Sequence, residues 1–375
     1  MRLMRLIFSV VIIIVLASCI EGDHKMRDIS SIELIQEFNN GWNLGNTLDA
    51  TNPSLAGKSP EEFETAWGNP VTTPEMIEKV KEGGFNIIRI PVTWNEHIGD
   101  APHYHINEDW LNRVQGVVDY AYDLDLYVIL NLHHEEWHFP SNDHLDQAKI
   151  ILVKVWEQIA ERFKDYNERL IFEAMNEPRM KGTDVEWTGG TAEARDVINQ
   201  LNQAFLETIR NSSGNNPLRH VMLPTYAASA SEEVLNDLIV PDDDQVIVSV
   251  HSYSPYDFAL NDGGTNQWTI ESEADRRDID DLFESLHSRF ISKDIAVIVG
   301  EYGARNKENV ADRVEWAKYY VKSAEEVGVP RVWWDNGLFT SDGENFGLMN
   351  RRTLKWEYPE IVEAIMEVSK SYKTN

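Results

Sequence analysis

The amino-acid sequence predicts a single (β/α)8 barrel, and three observations lead to that fold class. Eight short apolar runs alternate with longer amphipathic stretches along most of the chain. Most runs are nearly continuous in Val, Ile and Leu, which is typical of parallel strands covered on both faces. No glycine-rich phosphate loop opens a predicted helix, so an open nucleotide-binding sheet lacks its main feature. A length of 375 residues suits one such barrel.

The eight predicted strands begin after Phe38. The first is a Gly-Trp-Asn-Leu-Gly-Asn segment, and the second carries the charged residue Arg89 inside an apolar run. In order, the strands cover residues 41–46, 86–92, 126–133, 170–176, 220–225, 245–251, 296–301 and 330–334.

Amphipathic segments between and after the strands predict helices. The first, 74–82, has Thr73 as its N-cap, Pro74 at its first position and Gly83 after its end. The later predicted helices cover residues 108–124, 145–164, 192–210, 273–290, 309–327 and 358–370.

The N-terminal residues have the features of a targeting segment. Arg2 and Arg5 precede an apolar run over residues 6–16, which has the length of a signal-peptide core and is short for a bilayer span. The run ends in Leu16-Ala17-Ser18-Cys19, which resembles a bacterial lipobox, and Cys19 is the only cysteine of the chain. An ordinary secretory signal is the alternative.

We therefore expect an exported protein with a lipid anchor at Cys19, held at a bacterial outer membrane or cell surface. The predicted organisation is a lipoprotein signal peptide at 1–18, a polar tether at 19–35 and a catalytic barrel domain at 36–375. One cysteine excludes a disulfide within the chain. A monomer is expected.

Composition narrows the class of partner. A formal net charge of −29 repels phosphate backbones and anionic lipid, so neither nucleic acid nor an electrostatically bound membrane is expected. A neutral polymer such as a polysaccharide is compatible with this charge. The 12 Trp and 13 Tyr agree with sugar binding, because aromatic faces stack on pyranose rings, although most of them are expected in the core. No cofactor is expected.

Unusual polar residues are concentrated at the predicted C-terminal ends of strands, where (β/α)8 barrels carry their chemistry. One such residue alone is usually satisfied by packing or by an ion pair. Six strands with the same feature are hard to explain by packing, because each buried polar group needs a partner. The sequence therefore predicts one functional cavity, formed by Arg89, Asn131, His133, His134, Asn176, Glu177, His251, Ser252, Tyr253, Glu301, Tyr302, Asp335 and Asn336.

Glu177 and Glu301 are the candidate catalytic pair, because each directly follows a strongly apolar strand. Cleavage of a glycosidic bond requires one protonated carboxyl group that donates to the leaving oxygen and one ionised carboxylate that acts as nucleophile or base. For either residue alone, a helix cap or an ion pair with Arg89 is the competing interpretation.

Five motifs resemble those of glycoside hydrolase family 5. LIFEAMNEP at 170–178, HSY at 251–253 and VGEYG at 299–303 are similar to motifs of the whole family. GWNLGNTLD at 41–49 and WWDNG at 333–337 are similar to its endoglucanase branch, which includes xyloglucan- and mixed-linkage-active members. The resemblance implies a retaining, endo-acting hydrolase of β-1,4-glucans such as cellulose and mixed-linkage β-glucan, with xyloglucan or β-mannan as alternative substrates.

The resemblance also implies a role for each matching residue. Glu177 is the implied acid/base, and Glu301 is the implied nucleophile that forms the glycosyl-enzyme, with the carboxyl groups about 5 Å apart. Arg89 and Tyr253 are expected to hydrogen-bond Glu301 and to favour its ionised form. The other implied contacts with the sugar at the cleavage site are Asn176 on its 2-hydroxyl, His133 and His251 along the wall, and Trp334 as the stacking floor.

Further sugar contacts are expected from the loops that follow the strands. On and beyond the first strand the candidates are Asn43, Asn46 and Asp49. Trp137 is predicted to be a subsite platform, and some of the tryptophans near other loops should line outer subsites, although each is about as well explained by packing: Trp67, Trp94, Trp187 and Trp268. For Asp335 and Asn336, the alternative to a sugar contact is a role in organising the loop.

The segment 134–138, HEEWH, matches the zinc-protease pattern H-E-x-x-H. That motif requires a helix, so that both histidines share one face. Here it directly follows a strand, Pro140 comes two residues after His138, and no third ligand is evident. We interpret it as the loop after the third strand and expect no metal. A zinc hydrolase would be inactivated by a chelator.

A non-catalytic, glycan-binding lipoprotein is the alternative from another functional class. Such a protein would keep the barrel as a scaffold, and loss of one carboxylate would reveal it. Both glutamates are present.

Overall fold

The computed structural model describes residues 25–341 and 343–373. Within them, eight parallel strands close into a barrel, each paired with its neighbour in the chain and the last with the first. This arrangement confirms the predicted (β/α)8 barrel. The strands are β1 Asn40–Leu44, β2 Ile87–Ile90, β3 Tyr127–Asn131, β4 Leu170–Glu173, β5 Val221–Ser229, β6 Val246–His251, β7 Ala296–Tyr302 and β8 Arg331–Asp335.

Strand β5 departs most from its prediction, because it continues to Ser229. Near its end Ala227 and Ala228 adopt positive φ values of 50° and 48°. The register against β6 shifts between Pro224 and Ser229. A bulge of this kind bends a strand at the rim of a barrel and redirects its last side chains.

Helices surround the barrel and follow its strands. The described residues contain α1 Ser31–Leu34, α2 Pro60–Glu64, α3 Pro74–Glu82, α4 Glu108–Tyr122, α5 Asn142–Arg162, α6 Ala192–Arg210, α7 Glu232–Asp237, α8 Tyr256–Ala259, α9 Glu273–Arg289, α10 Val310–Val327 and α11 Pro359–Lys373. Helix α3 has the bounds that Pro74 and Gly83 predict. Helix α7, between β5 and β6, was not predicted, because six residues are too few to show helical periodicity.

The main hydrophobic core lies between the barrel and its helices. Trp156 of α5, for example, packs against Phe172 of β4 and Phe205 of α6, with ring centroids 5.1 and 4.7 Å away. Burial of each such ring contributes about 2 kcal/mol. The helices thereby hold the strands in a fixed geometry, which makes the strand ends a rigid support for a site.

Helix α1 covers the N-terminal end of the barrel. Leu34 and Phe38 pack there against inward-facing strand residues such as Ile129 and Ile171. Residues 31–35, which the sequence assigns to the tether, are therefore part of the packed domain. The domain begins before residue 36, where the sequence places its start.

The predicted signal peptide and the lipid-attachment residue Cys19 lie outside the described residues. Among the residues that are described, no helix is both long enough and apolar enough to cross a membrane.

Candidate active site

Glu177 and Glu301 meet at the C-terminal end of the barrel, on either side of His251. A carboxylate oxygen of each glutamate and an imidazole nitrogen of His251 all lie within 4.8 Å of one another. His251 Nδ1 is 2.9 Å from Glu177 Oε1 and 3.6 Å from Glu301 Oε2. Two carboxyl groups at this separation can act on the same bond from opposite sides.

Arg89 of β2 connects most of the predicted site residues. Its Nη1 donates to Glu301 Oε1 at 2.8 Å and to Asn43 Oδ1 at 3.0 Å. Nη2 donates to Asn176 Oδ1 at 2.7 Å, and Nε donates to Glu173 Oε2 at 2.8 Å. Burial opposes the charge of this guanidinium, but the two carboxylates outweigh burial and raise the pKa of Arg89.

Tyr253 provides the second donor to Glu301. Its hydroxyl donates to Oε2 at 2.8 Å. Burial and then the Glu301 carboxylate hold the pKa of Tyr253 well above its usual value, so the hydroxyl keeps its proton and remains a donor. With Arg89 on the other oxygen, both oxygens of the Glu301 carboxylate are held in place.

Glu177 and His251 form a coupled pair. Burial raises the pKa of Glu177, but the hydrogen bond and charge of His251 outweigh it, and the net pKa is lowered. Burial lowers the pKa of His251, but the Glu301 and Glu177 carboxylates outweigh it, and the net pKa is raised. A proton between these residues therefore belongs to the pair, at the position where a leaving group would receive it. Arg179 Nη1, 3.5 Å from Glu177 Oε2, adds a second positive neighbour.

His133 and Trp334 form a wall beside the carboxylates. Their rings are parallel within 2°, with centroids 5.8 Å apart. Asn131 Nδ2 is 3.1 Å from His133 Nδ1. Burial lowers the pKa of His133 well below its usual value, so this imidazole is neutral at neutral pH. A neutral imidazole and an indole suit an uncharged ligand.

A groove of about 1040 Å³ lies beside the end of β6 and runs along α9. His251 and Tyr253 are among its lining residues, whereas Glu177 and Glu301 are not. Its walls carry the hydroxyl groups of Ser229, Ser231, Ser252, Ser254, Ser285 and Ser288. The groove therefore adjoins the catalytic cluster through His251 and Tyr253.

The structure brings the central predicted residues together in one hydrogen-bonded cluster or its adjoining wall. These residues are Arg89, His133, Asn176, Glu177, His251, Tyr253, Glu301 and Trp334.

The candidates on and beyond the first strand, Asn43, Asn46 and Asp49, differ in whether their side chains are free to contact a sugar. Asn43 is fully buried, and its Nδ2 donates to three backbone carbonyls while its Oδ1 accepts from Arg89, so it holds the barrel end together instead of contacting sugar. Asp49 is also buried and accepts the backbone N–H groups of Asn46 and Thr47. Asn46 itself is half-buried with φ 57°, which leaves it as the remaining candidate.

Two tryptophans predicted near outer subsites are core residues. Trp94 is fully buried and donates to the Asn131 carbonyl, and Trp268 is buried against α9 and donates to the Asp275 carbonyl. Their side chains fill the core beneath the loops. The sequence pattern could not distinguish this packing role from a role in sugar binding.

The other three tryptophans retain accessible surface. Trp67 and Trp137 are half-buried, and Trp187 is 62% exposed. Trp137 is held in place by Glu135, whose Oε2 accepts from its indole N–H at 2.8 Å. The Arg179 guanidinium covers one face of Trp187 at 4.2 Å, which leaves its other face free.

The HEEWH segment forms a turn after β3 and no helix, as predicted. Glu135 accepts the backbone N–H of Trp94, and burial raises its pKa to about 7. Burial lowers the pKa of His134 to about 4 and that of His138 to about 3. The segment therefore shapes the loop that carries Trp137. Potential metal-ligand atoms of Asp49, His133 and His134 lie within 4.8 Å of one another. The Asp49 carboxylate, however, already accepts hydrogen bonds from two backbone N–H groups.

Asp335 and Asn336 organise the loop after β8. The Asp335 carboxylate accepts from the Trp42 indole at 2.8 Å and from the backbone N–H of Leu348 and Met349. Asn336 Oδ1 accepts from two backbone N–H groups of the same loop. These contacts fix the strand end next to Trp334.

Two site residues are not apparent from the sequence patterns. Glu173, which lies within the fourth apolar run, ion-pairs with Arg89, and Ser249 supports it from β6. A charged residue inside an apolar strand is the sequence feature that could have revealed Glu173, as it revealed Arg89. The second site residue that was not predicted is Arg179, which contacts Glu177 and Trp187.

Comparison with known proteins agrees with this geometry. Residues 49–339 match the family described as cellulase (glycosyl hydrolase family 5). The cellulase/esterase CelE of Acetivibrio thermocellus is 50% identical over 344 residues, which are 91% of this chain and 41% of that protein. The chain thus spans less than half of that relative.

Two solved structures are similar along nearly their whole length. A broad-specificity endoglucanase from Ruminococcus champanellensis with bound cellotriose has a TM-score of 0.89 and 49% identity, covering 91% of this chain and 99% of that one. A xyloglucan-specific endo-β-1,4-glucanase from a metagenomic library, in complex with cellotriose, has a TM-score of 0.86 and 42% identity, covering 90% and 98%.

Proposed function

The chain belongs to glycosyl hydrolase family 5, and from that premise we propose that it is an endo-β-1,4-glucanase that retains anomeric configuration. The observation that carries the proposal is the separation of Glu177 and Glu301, with carboxylate oxygens within 4.8 Å. Retaining glycosidases hold their carboxyl groups about 5–5.5 Å apart, whereas inverting enzymes need about 6.5–9.5 Å for a water molecule.

In the first step, a Glu301 carboxylate oxygen attacks the anomeric carbon as the glycosidic C–O bond breaks. The leaving oxygen takes a proton from Glu177, which leaves an ester on Glu301 and a shortened glucan chain. Arg89 and Tyr253 aim the attacking carboxylate from both sides. His251, at 2.9 Å from Glu177, shares the proton that is transferred.

In the second step, Glu177 accepts a proton from water as the water oxygen attacks the anomeric carbon. The ester bond breaks and the Glu301 carboxylate is restored, so two displacements give net retention. Asn176 is tied to Arg89 at 2.7 Å, beside the sugar 2-hydroxyl expected at this subsite. A contact there that strengthens in the transition state contributes to the rate.

The neutral wall and the relatives support the substrate class. The neutral His133 ring and Trp334 fit an uncharged sugar. One similar enzyme is described as a broad-specificity endoglucanase. We assign unbranched β-1,4-glucan and mixed-linkage glucan as the main substrates. Xyloglucan is the second candidate, because another similar enzyme is specific for it.

The test is hydrolysis of soluble β-glucan, xyloglucan, glucomannan, xylan and carboxymethyl cellulose by the wild-type protein, Glu301→Ala and Glu136→Gln. Glu136 is an exposed glutamate of the loop after β3, so its variant is the matched control. We expect activity on a β-glucan, a loss of several orders of magnitude in Glu301→Ala and wild-type activity in Glu136→Gln. NMR of the first product gives the anomer. An inactive wild type would favour the glycan-binding alternative.

We also propose export as a monomeric lipoprotein anchored through Cys19. The lipobox-like Leu16-Ala17-Ser18-Cys19 supports the anchor, and the need to reach an external polysaccharide supports export. Labelled palmitate should be incorporated by the wild-type protein and not by Cys19→Ala, and the variant should leave the membrane fraction. Label in the variant, or none in the wild type, would contradict lipidation at Cys19. Size-exclusion chromatography of the soluble variant tests the monomer.

A further inference from the structure

A second buried carboxylate lies next to Arg89, at Nε, whereas Glu301 is bound at Nη1. Glu173 ends β4, and its side chain has no exposed surface. Its Oε2 accepts from Arg89 Nε at 2.8 Å and from Asn131 Nδ2 at 3.0 Å, and its Oε1 accepts from Ser249 Oγ at 2.7 Å. The three donors lie on β2, β3 and β6, so strands of the barrel hold this carboxylate in place.

Two carboxylates lie beside the single guanidinium of Arg89, and only one of them is consumed when Glu301 forms an ester. A buried ion is costly unless it is paired and hydrogen-bonded, and one carboxylate would be enough to pair one guanidinium. Here Glu173 and Glu301 each lie 2.8 Å from Arg89, so two carboxylates share one guanidinium. His251 also faces Glu301, with its Nδ1 3.6 Å from Oε2, but it lies closer to Glu177, with which it shares a proton. After Glu301 forms an ester, Arg89 and Glu173 remain as a neutral pair.

We propose that Glu173 is a positioning residue, the permanent counter-ion of Arg89, which leaves the charge of Glu301 available for attack and keeps the guanidinium in place while Glu301 is esterified. This role rests on the double displacement proposed above. Glu173 has no exposed surface with which to touch the substrate, and we assign its effect to Arg89, while Asn131 and Ser249 hold its carboxylate in place.

Removal of the Glu173 charge should have two consequences. Arg89 would pair with Glu301 alone, so the nucleophile would be neutralised and the positive charge that develops on the sugar would be stabilised less. The glycosyl-enzyme would also contain an unpaired buried guanidinium, which is unfavourable. Both effects slow formation of the intermediate more than its hydrolysis.

Glu173→Gln tests this in the full-length enzyme with an aryl β-cellobioside that has a good leaving group. We expect the rate constant for formation of the glycosyl-enzyme to fall about 10²-fold, which is the effect of losing one charge partner at this distance. The acidic limb of kcat/KM should move to lower pH by about one unit, because Arg89 then favours the ionised form of Glu301 more strongly.

Glu173→Asp and Ser249→Ala are the matched controls, because each disturbs the same contacts and keeps the charge. Both should retain the wild-type acidic limb, whatever they do to the rate or to the unfolding temperature. An unshifted acidic limb in Glu173→Gln, or the same shift in Ser249→Ala, overturns the counter-ion role. An inactive wild type would overturn the proposed function and this role together, whereas an active wild type with an unaffected Glu173→Gln overturns this role alone.

A measurement on the wild-type protein covers the case in which Glu173→Gln does not fold. A crystal structure of the glycosyl-enzyme trapped with a 2-deoxy-2-fluoro cellobioside should show Arg89 Nε still bound to Glu173. A guanidinium that has turned away from Glu173 in the trapped enzyme contradicts the proposal.

Discussion

At the scale of single residues, neighbours give four glutamates at one end of the barrel four different roles. Glu301 is fixed by two donors, and Glu177 shares a proton with His251. Glu173 is a buried counter-ion. Glu135 anchors a loop through two N–H groups, and burial raises its pKa to about 7. Because the residue type is the same, these roles follow from local charge and burial alone.

We expect the alkaline limb of kcat/KM to depend on His251. Its pKa is raised from the usual value near 6.5, so the protonated form persists to higher pH than in a free histidine and is lost as the pH rises through the raised pKa. In His251→Asn, Glu177 must carry the proton alone, so the limb should move to lower pH and kcat/KM at pH 7 should fall about tenfold. The measurement is a pH profile on soluble β-glucan. The same alkaline limb in both proteins would exclude a shared proton.

The polar residues at strand ends could be predicted as site residues from the sequence, because packing alone seldom places polar side chains at so many strand ends. The roles of Glu173 and Ser249 could not, since the side chains that they contact belong to other strands. Trp94 and Trp268 were predicted near subsites and are core residues, because an aromatic residue near a loop fits both settings equally well. Contacts between distant strands require the closed barrel before they can be recognised.

At the scale of elements, apolar runs, most of them nearly continuous, made the eight strands predictable to within a few residues, apart from the bulged end of β5. Short elements were not predictable, as α7 shows, and neither was the hairpin of β9 Met349–Asn350 and β10 Lys355–Trp356. Two-residue strands have no periodicity to detect, and the hairpin instead depends on tertiary contacts with Asp335.

Asp335→Ala should destabilise this part of the barrel. The change leaves the buried guanidinium of Arg351 without its carboxylate partner, and it leaves the indole N–H of Trp42 and the backbone N–H of Leu348 without an acceptor. We expect a loss of about 3 kcal/mol in the free energy of unfolding, measured with urea. Asp262→Ala, which removes an exposed carboxylate, is the control and should change stability little. Equal effects of the two changes would contradict the anchoring role of Asp335.

Leu34→Ala should separate stability from activity. Leu34 is fully buried in the N-terminal end of the barrel, opposite the end that carries the carboxylates. We expect a loss of about 3 kcal/mol of stability from the cavity, with kcat unchanged below the unfolding temperature. Ile239→Ala, at a side chain that is 62% exposed, should change neither quantity. A large drop in kcat for Leu34→Ala at a temperature where it is folded would show that packing at this end also shapes the site.

At the scale of the whole molecule, the fold places a rigid catalytic end on a strongly acidic protein. The formal net charge of −29 extends over a chain of 43.1 kDa. The net charge argued against anionic partners such as nucleic acid. The choice among neutral glucans depends on the shapes of the loops, which the hydrophobic periodicity of the sequence does not predict.

The net charge of −29 predicts that activity depends on salt for an anionic glucan and hardly at all for a neutral one. Carboxymethyl cellulose is anionic, so the protein repels it at low ionic strength, and screening with a Debye length of about 10 Å at 0.1 M salt should relieve this repulsion. We expect kcat/KM on carboxymethyl cellulose to rise several-fold between about 10 and 200 mM NaCl. On neutral barley β-glucan it should stay nearly constant, which makes that substrate the control for effects of salt on the enzyme itself. If both substrates respond alike, salt acts on the catalytic cluster, and long-range repulsion does not control association with the polymer.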